Sequence, residues 1–175
     1  MNFIEIKYLT ESYAILSFYK NKRISTIPLF QCLAYVGKNG IDKSSEGDYR
    51  TPTGYFHFSL AFGMHPKPAH TNLKYIQISE NHYWCSDKSH YNQLVTTSEA
   101  SCIHGEHLIE YPQAYEYALV LDYNKECIPG LGSAIFLHCT VPNHFYTAGC
   151  IAVNKSIVLR LIKLCDKDTV IWIHK

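Results

Sequence analysis

A cysteine and a histidine that lie close in sequence are the residues of this chain best suited to covalent chemistry. His138 ends the apolar run "GSAIFLH", and Cys150 follows Gly149 in "TAGCIAV". A free cysteine has a pKa near 8.5 and is only about 3% thiolate at neutral pH. A neighbouring imidazole and a helix terminus can lower that pKa and make the thiol a competent nucleophile. The residue types therefore suggest nucleophilic catalysis by Cys150 with His138 as general base and acid.

The elements around this pair must bring the two side chains together. The segment 133–139 has the length and branching of a buried strand, and a loop over 140–149 can return the chain to the end of that strand. Gly149 allows a backbone conformation that other residues resist. Asn154 is a suitable N-cap for an amphipathic helix that ends before 166–168, so we expect the thiol to feel the positive end of a helix dipole.

The alternative is that His138 and Cys150 are two ordinary core residues. The chain has ten histidines and seven cysteines, so pairs with this spacing also arise by chance. Spacing alone leaves both interpretations open.

The rest of the chain favours a mainly β fold, a β-sandwich-like arrangement of mixed sheets with one amphipathic helix in the C-terminal half and short helical turns. The alternating or apolar runs that predict strands are 3–9, 13–19, 54–62, 73–79, 115–124, 133–139 and 169–174. In the run 54–62 the alternation places Phe56, Phe58 and Leu60 on one face. We interpret 81–100 as a loop with a helical turn near 91–95, and 105–110 as a short helix that stops before Pro112.

Length and composition limit the class of protein. The 175 residues, 47% of them hydrophobic, predict one domain over 1–175, and a monomer is expected. The net charge of +1 gives no reason to expect nucleic acid as a partner. No apolar run reaches the roughly 18 residues of a membrane span.

Compartment and redox state stay open at this point. The first 22 residues lack the order of a signal peptide, so the protein either stays in the cytoplasm or is a chain from which an export signal was removed. Seven cysteines without C-x-x-C allow up to three disulfides in an oxidising compartment and none in the cytosol.

Three motifs in order resemble the L,D-transpeptidase catalytic domain (YkuD-like) family. "GSAIFLH" and "TAGC" match its strand-end histidine and its Ser/Thr-x-Gly-Cys element. "GKNGIDKSSEGDYRTPTGYF" (37–56) matches its G-x-x-G and EGD-x-RTP-x-G loop, and "WCSDKSHYN" (84–92) matches a stretch found in one branch. The resemblance covers about residues 34 to 174.

The resemblance implies a mechanism and a set of site residues. Cys150 would attack the carbonyl after an L-centre in a peptidoglycan stem peptide and form a thioacyl enzyme. His138 would transfer protons, and backbone N–H groups around Gly149 and Cys150 would form an oxyanion hole. A backbone carbonyl near Gly149 would orient the imidazole. No cofactor and no metal are implied, and the family points to the cell envelope or periplasm.

Seven further residues are candidates for substrate binding. The groove-lining candidates are Arg50, Trp84, Tyr91, Asn92, His144, Thr147 and Ala148. For Arg50 a hydrogen bond that orders its own loop is the alternative, and for Trp84, Tyr91 and Asn92 the alternative is a structural role. The sequence also departs from many family members, with Cys139 in place of glycine, Ala152 in place of arginine and Ala148 in place of histidine.

Other functions remain possible from the sequence. Water in place of an acceptor amine would make the enzyme an L,D-carboxypeptidase that trims tetrapeptide stems. A groove without catalysis would make it a cell-wall peptide-binding module. His104 and His107 in "HGEH" could ligate zinc with a nearby cysteine, although the spacing is loose.

Overall fold

A computed structural model describes residues 1–21 and 26–175 and places them in twelve strands, one α-helix and two 3₁₀ turns. The strands are β1 Phe3–Thr10, β2 Tyr13–Tyr19, β3 Phe30–Tyr35, β4 Gly54–Gly63, β5 Tyr75–Gln77, β6 His82–Cys85, β7 Gln93–Thr96, β8 Gly105–His107, β9 Tyr117–Leu121, β10 Phe136–Cys139, β11 Ile151–Val153 and β12 Val170–His174. The helix α1 is Lys155–Leu164, and the 3₁₀ turns are Leu108–Glu110 and Ala114–Glu116. The fold is mainly β with one helix, as the sequence predicted.

Nine of these strands form one mixed sheet that closes on itself. Its order is β12-β1-β2-β3-β11-β10-β9-β4-β5, and the first half of β4 also pairs with β12. The β1–β12 and β10–β11 pairs are parallel, whereas β1–β2, β2–β3 and β9–β10 are antiparallel. Closure leaves few unpaired edges in the large sheet. A separate three-stranded sheet has the order β7-β6-β8.

The two faces of β9 and β10 bury different sets of side chains. Leu119 and Leu137 belong to the main core, which also contains the inner residues of β1 and β2 and the apolar stripe Val158, Leu161 and Ile162 of α1. Ala118 and Phe136 face the second core, together with Trp84, Leu108 and Tyr115. Strands buried on both faces consist of nearly continuous apolar residues, which explains the run at 133–139.

The helix has the cap that the sequence predicts. The Asn154 side chain accepts a hydrogen bond from the backbone N–H of Ser156, and the helix ends at Leu164, before the turn at 166–168. Since β11 lies between Cys150 and α1, the thiol is not at the helix N-terminus. The expected dipole effect was wrong, because the chain after Cys150 first completes a strand of the sheet.

Three local predictions differ from the structure. Residues 82–85 and 93–96 are strands rather than loop, because four-residue strands offer only two positions per face and show no clear period. Residues 105–107 form β8, and only the following three form a 3₁₀ turn. A register shift between Phe58 and Leu60 turns Leu60 to the second core, while Phe58 stays in the main core.

Candidate active site

Cys150 and His138 are held by the parallel pair of strands β10 and β11. Leu137 lies opposite Ile151, and His138 lies opposite Ala152. Side chains alternate between the faces of a strand, so Cys150 and His138 both lie on the face away from the main core. They are offset by two positions on adjacent strands, which corresponds to about 6–7 Å along the strand direction. The loop 140–149 is the connection that produces this arrangement.

The two side chains have different immediate partners. The Cys150 thiol donates to the carbonyl oxygen of Ala134 at 3.1 Å and accepts the backbone N–H of Phe136 at 3.3 Å. The Nδ1 atom of His138 lies 2.9 Å from the carbonyl oxygen of Cys139. A proton on Nδ1 satisfies that carbonyl and leaves Nε2 as the acceptor, which is the tautomer that a general base needs.

The carbonyl that orients the imidazole is therefore that of Cys139 and not one near Gly149. It belongs to the residue that follows His138 on the same strand, so a local hydrogen bond replaces the predicted contact with the loop. No carboxylate is needed in this role, as the resemblance implied.

Tyr115 contacts both His138 and Glu106. Its ring packs edge-on against His138 and Phe136, with ring centroids 5.6 Å apart in both cases. Its hydroxyl donates to the carboxylate of Glu106 on β8. Neither Tyr115 nor Glu106 belongs to the motifs singled out in the sequence, and only the tertiary packing identifies them as site residues.

Burial controls the ionisation of the site. His138 and Cys150 are each 9% exposed. Desolvation lowers the pKa of His138, although the hydrogen bond to Cys139 acts in the opposite direction. Desolvation, followed by the charge of Glu106, raises the pKa of Cys150 to about 12. Burial therefore favours the neutral form of both groups.

Cys150 opens into a cavity of about 340 Å³. Trp84 and Glu106 line one side of it, and Ala148 and Gly149 lie beside the thiol. The remaining lining comes from 133–135, Ser86, Gly105 and two residues of the loop 36–53, Lys43 and Glu46. A cavity with a few polar groups next to a thiol has the properties of a small-molecule or peptide site.

Gly149 has a conformation and an environment that exclude a side chain. Its φ is +150°, and a Cβ atom built there would lie 2.9 Å from the carbonyl oxygen of Arg50. Its N–H donates to Thr147 Oγ1 at 3.1 Å. That amide is thus already paired, and of the two amides named for an oxyanion hole the N–H of Cys150 is the better candidate.

Two threonines hold the backbone at Cys150 in place. Thr147 Oγ1 donates to the carbonyl oxygen of Cys150 at 2.7 Å, and Thr51 Oγ1 donates to the same oxygen at 3.1 Å. Thr51 also accepts the N–H of Gly37 at 2.9 Å, which links the loop 36–53 to the site. Thr147, a candidate for substrate binding, is 8% exposed and has a positioning role in this structure.

Trp84, Tyr91 and Asn92 are held by hydrogen bonds within the protein, and of the three Trp84 lines the cavity. Trp84 lines the cavity and donates its ring N–H to Asn92 Oδ1 at 3.0 Å. The same oxygen accepts the N–H of Ala134 at 3.1 Å. Tyr91 donates its hydroxyl to Glu46. These contacts join the small sheet to Ala134, whose carbonyl oxygen accepts the hydrogen bond from the Cys150 thiol.

Arg50 and His144 lie outside the cavity lining, as Tyr91, Asn92 and Thr147 also do. Arg50 is exposed, and its guanidinium donates to the carbonyl oxygen of Ile41 at 2.9 Å, which is the loop-ordering bond given as its alternative. His144 is exposed and lines a different groove with Tyr35 and Asn154. Ala148, in contrast, is exposed and lines the cavity beside Cys150.

Lys43 and Asp48 form a buried ion pair beneath the cavity. The Lys43 ammonium lies 2.9 Å from Asp48 Oδ1, and its side chain is only 2% exposed. Burial would raise the pKa of Asp48, but Lys43 and the backbone N–H groups of Ser44, Ser45 and Arg50 outweigh it and lower that pKa to about 2. Asp48 is the aspartate of the EGD element, so this motif orders the loop.

The cysteines and histidines proposed as metal ligands have other partners. Cys85 and Cys102 form a disulfide with a Cα–Cα distance of 5.8 Å, whereas Cys32, Cys127, Cys139, Cys150 and Cys165 are free. His104 Nδ1 lies 2.8 Å from Asp87, and His107 Nε2 lies 2.7 Å from the carbonyl oxygen of Glu80. The disulfide removes both of its sulfurs from the thiolate ligands that zinc requires.

A family model described as the L,D-transpeptidase catalytic domain (YkuD) matches residues 4–173. The chain therefore belongs to the YkuD L,D-transpeptidase catalytic domain family. No curated protein matches the chain.

Several solved structures are similar over almost the whole chain. An L,D-transpeptidase (Yku) from Stackebrandtia nassauensis is 12% identical with a TM-score of 0.47, and the alignment covers 99% of this chain and 55% of that one. Bd1075 of Bdellovibrio bacteriovorus is 16% identical with a TM-score of 0.48, and the alignment covers 99% of this chain and 47% of that one. A mutant L,D-transpeptidase of Enterococcus faecium is 12% identical with a TM-score of 0.46, covering 99% and 49%. The chain spans about half the length of these proteins.

Proposed function

We propose that this protein is a cysteine-dependent acyltransferase that acts on peptidoglycan stem peptides, with Cys150 as the nucleophile and His138 as the general base and acid. The main support is the common face of β10 and β11 that carries both side chains, with the thiol opening into a cavity. Membership of the L,D-transpeptidase family supplies the substrate class. The catalytic unit is one domain over 1–175.

The reaction has two acyl-transfer steps. His138 Nε2 accepts the thiol proton, and the Cys150 sulfur forms a bond to the carbonyl carbon after the L-centre. The bond from that carbon to the D-residue nitrogen breaks, and His138 returns the proton to the leaving amine. An acceptor amine then gives a proton to His138 and attacks the thioester, which releases the cross-linked product and the free thiol.

Water in place of the acceptor amine gives the second candidate, an L,D-carboxypeptidase. The opening of the cavity beside Cys150 supports it equally, since the same thioester serves both reactions. A non-catalytic stem-peptide binding module is the third candidate. The free thiol of Cys150 and the neutral, oriented imidazole of His138 are features that such a module would not need.

The cell envelope is the compartment that fits this substrate. The disulfide Cys85–Cys102 supports an oxidising compartment, where such bonds persist. Across 1–21 and 26–175, no helix has both the length and the apolar character needed to cross a membrane.

Mass spectrometry with a tetrapeptide stem tests the proposal. Incubation should add the mass of the acyl tripeptide to Cys150 and release the terminal D-residue, and Cys150→Ala should show neither. The matched control is Cys32→Ala, which removes a free cysteine on β3 and should retain the adduct. Products formed with and without an acceptor amine separate cross-linking from trimming. Affinity without any adduct would instead identify a binding module.

A further inference from the structure

The surroundings of the Cys150 thiol lack the positive charge that a cysteine nucleophile ordinarily has nearby. Reactive cysteines lie beside cations or helix N-termini. Here the nearest ammonium, Lys43, is neutralised by Asp48 at 2.9 Å. His138 is kept neutral by its burial, and α1 begins only after β11. Formation of a thiolate therefore depends on transfer of its proton to His138.

Negative charge, in contrast, faces the thiol across the cavity. Glu106 stands on β8 opposite Trp84, is half-buried, and lines the same cavity as Cys150. Burial raises the pKa of Glu106, whereas the hydrogen bond that its carboxylate accepts from the Tyr115 hydroxyl lowers it and favours the charged form. Of the charged groups that act on Cys150, Glu106 opposes ionisation and Lys43 favours it more weakly.

A second carboxylate lines the same cavity. Glu46 lines the cavity and accepts the hydroxyls of Tyr91 and Ser133, the latter at 2.7 Å. The charged side chains in the cavity lining are thus the carboxylates of Glu46 and Glu106 and the ammonium of Lys43. The charge of Lys43 is already compensated by Asp48. The result is a cavity that favours a bound cation and disfavours an anionic thiol.

We propose that Glu106 couples cation binding to activation of Cys150: an ammonium group of the substrate, bound against this carboxylate, offsets its negative charge and so favours transfer of the thiol proton to His138. This inference rests on the proposed function for the identity of the substrate, a stem peptide with a charged side-chain amine. Glu106 is then a specificity-determining residue: a peptide without the cation leaves the thiol protonated and unreactive. The Tyr115 hydroxyl holds the carboxylate in place, and the Tyr115 ring packs on His138.

Alkylation of Cys150 by iodoacetamide tests the coupling without any turnover. The sulfur forms a bond to the methylene carbon, iodide leaves, and the thiol proton passes to solvent, so the rate reports the thiolate fraction. The modified Cys150 peptide is quantified by mass spectrometry at pH 8. Glu106→Gln should increase the rate at least about 10-fold, which corresponds to one pKa unit. Glu110→Gln, an exposed carboxylate three residues from the end of β8, should leave it unchanged.

A second measurement uses the unaltered protein. Propylammonium chloride should accelerate alkylation of Cys150 several-fold relative to potassium chloride at equal ionic strength, and Glu106→Gln should remove that difference. An unchanged or slower rate in Glu106→Gln, or no acceleration by propylammonium in the unaltered protein, would overturn the coupling. Failure of the stem peptide to form a thioester would instead contradict the proposed function, because alkylation does not depend on it.

Discussion

At the scale of single residues, the side chains around the cavity are positioned by hydrogen bonds from neighbouring side chains. Asn92 shows this most clearly. Its Oδ1 accepts hydrogen bonds from Trp84 and Ala134, and its Nδ2 donates to the carbonyl oxygens of Tyr123 and Asn124, each at 3.0 Å. The Ala134 carbonyl in turn accepts the Cys150 thiol. Asn92 therefore links the cavity wall to the segment that accepts the hydrogen bond of the Cys150 thiol.

Asn92→Ala should lower the free energy of unfolding by about 2–4 kcal/mol, because it leaves several half-buried polar groups without partners. Chemical denaturation measures the change. Asn143→Ala is the matched control, since Asn143 also has a positive φ but is exposed, and it should cost less than about 1 kcal/mol. Equal losses in the two variants would mean that only the backbone conformation matters at position 92.

The pKa of His138 predicts a specific pH dependence of stability. Burial lowers this pKa below its ordinary value near 6.5. A group with a lower pKa in the folded state binds its proton more readily when unfolded, so its contribution is complete above pH 6.5 and declines as the pH falls below it.

Comparison of the unaltered protein with His138→Gln isolates this contribution. The difference in unfolding free energy between them should be constant from pH 8 to about 6.5 and should change in favour of the variant as the pH falls to 5. Denaturant titrations at each pH give the two curves. The stability curve of His144→Gln, which changes an exposed histidine, should stay parallel to that of the unaltered protein over the whole pH range. A parallel curve for His138→Gln would show that the imidazole gains a proton without cost.

At the scale of elements, the short strand β8 depends on bonds other than the backbone hydrogen bonds of its own sheet. The Asp87 carboxylate accepts the N–H groups of Ile103 and His104 at 2.7 and 3.1 Å, just before β8. The disulfide Cys85–Cys102 ties the same segment to β6. Gly105 is required here because a Cβ atom would lie 2.5 Å from the carbonyl oxygen of Trp84. These constraints fix the strand that carries Glu106 into the cavity.

Loss of the disulfide should therefore destabilise the protein. The bond closes a loop with a sequence separation of 17, so Cys102→Ser should cost about 3 kcal/mol in unfolding free energy. Dithiothreitol should destabilise the unaltered protein to a similar extent and leave Cys102→Ser unchanged. Cys127→Ser, which alters a half-buried free cysteine, should have little effect. Equal sensitivity of all three proteins to the reductant would exclude this role for the bond.

At the scale of the whole molecule, closure of the large sheet joins the two ends of the chain to the site. β12 pairs with β1 on one side and with β4 on the other, and β4 pairs with β9, next to the strand of His138. The main core lies on one face of β9 and β10, and the second core, which includes Cys150, lies on the other. Packing in the main core therefore supports the site without contact with it.

A substitution that creates a cavity at β12, the strand that closes the large sheet, tests this support. Ile171 on β12 is fully buried, and Ile171→Ala should lower the unfolding free energy by about 2–5 kcal/mol. Ile128→Ala is the control, since Ile128 is 49% exposed and should cost less than about 1 kcal/mol. Thermal and chemical denaturation measure both. A small loss for Ile171→Ala would mean that the sheet does not depend on this closure.

Local sequence patterns determined much of the architecture. Alternation predicted β1 and β2, the apolar run predicted β10, and the stripe after Asn154 predicted α1, because each of these elements buries one clear face. The motifs at 37–56, 84–92, 132–138 and 147–150 indicated the family, which the family model confirms, and Cys150, Gly149 and Ala148 line one cavity. These features depend on residues that are neighbours along the chain.

The tertiary structure decided what depends on distant contacts. The Cys85–Cys102 pairing, the closure of β4 on β12 and the strands β6, β7 and β8 could not be read from the sequence, since each element is short or pairs across many residues. The same holds for the electrostatics of the thiol. Which charges face Cys150 depends on how β8 and the loop 36–53 fold over it, and burial and Coulomb forces act through space rather than along the chain.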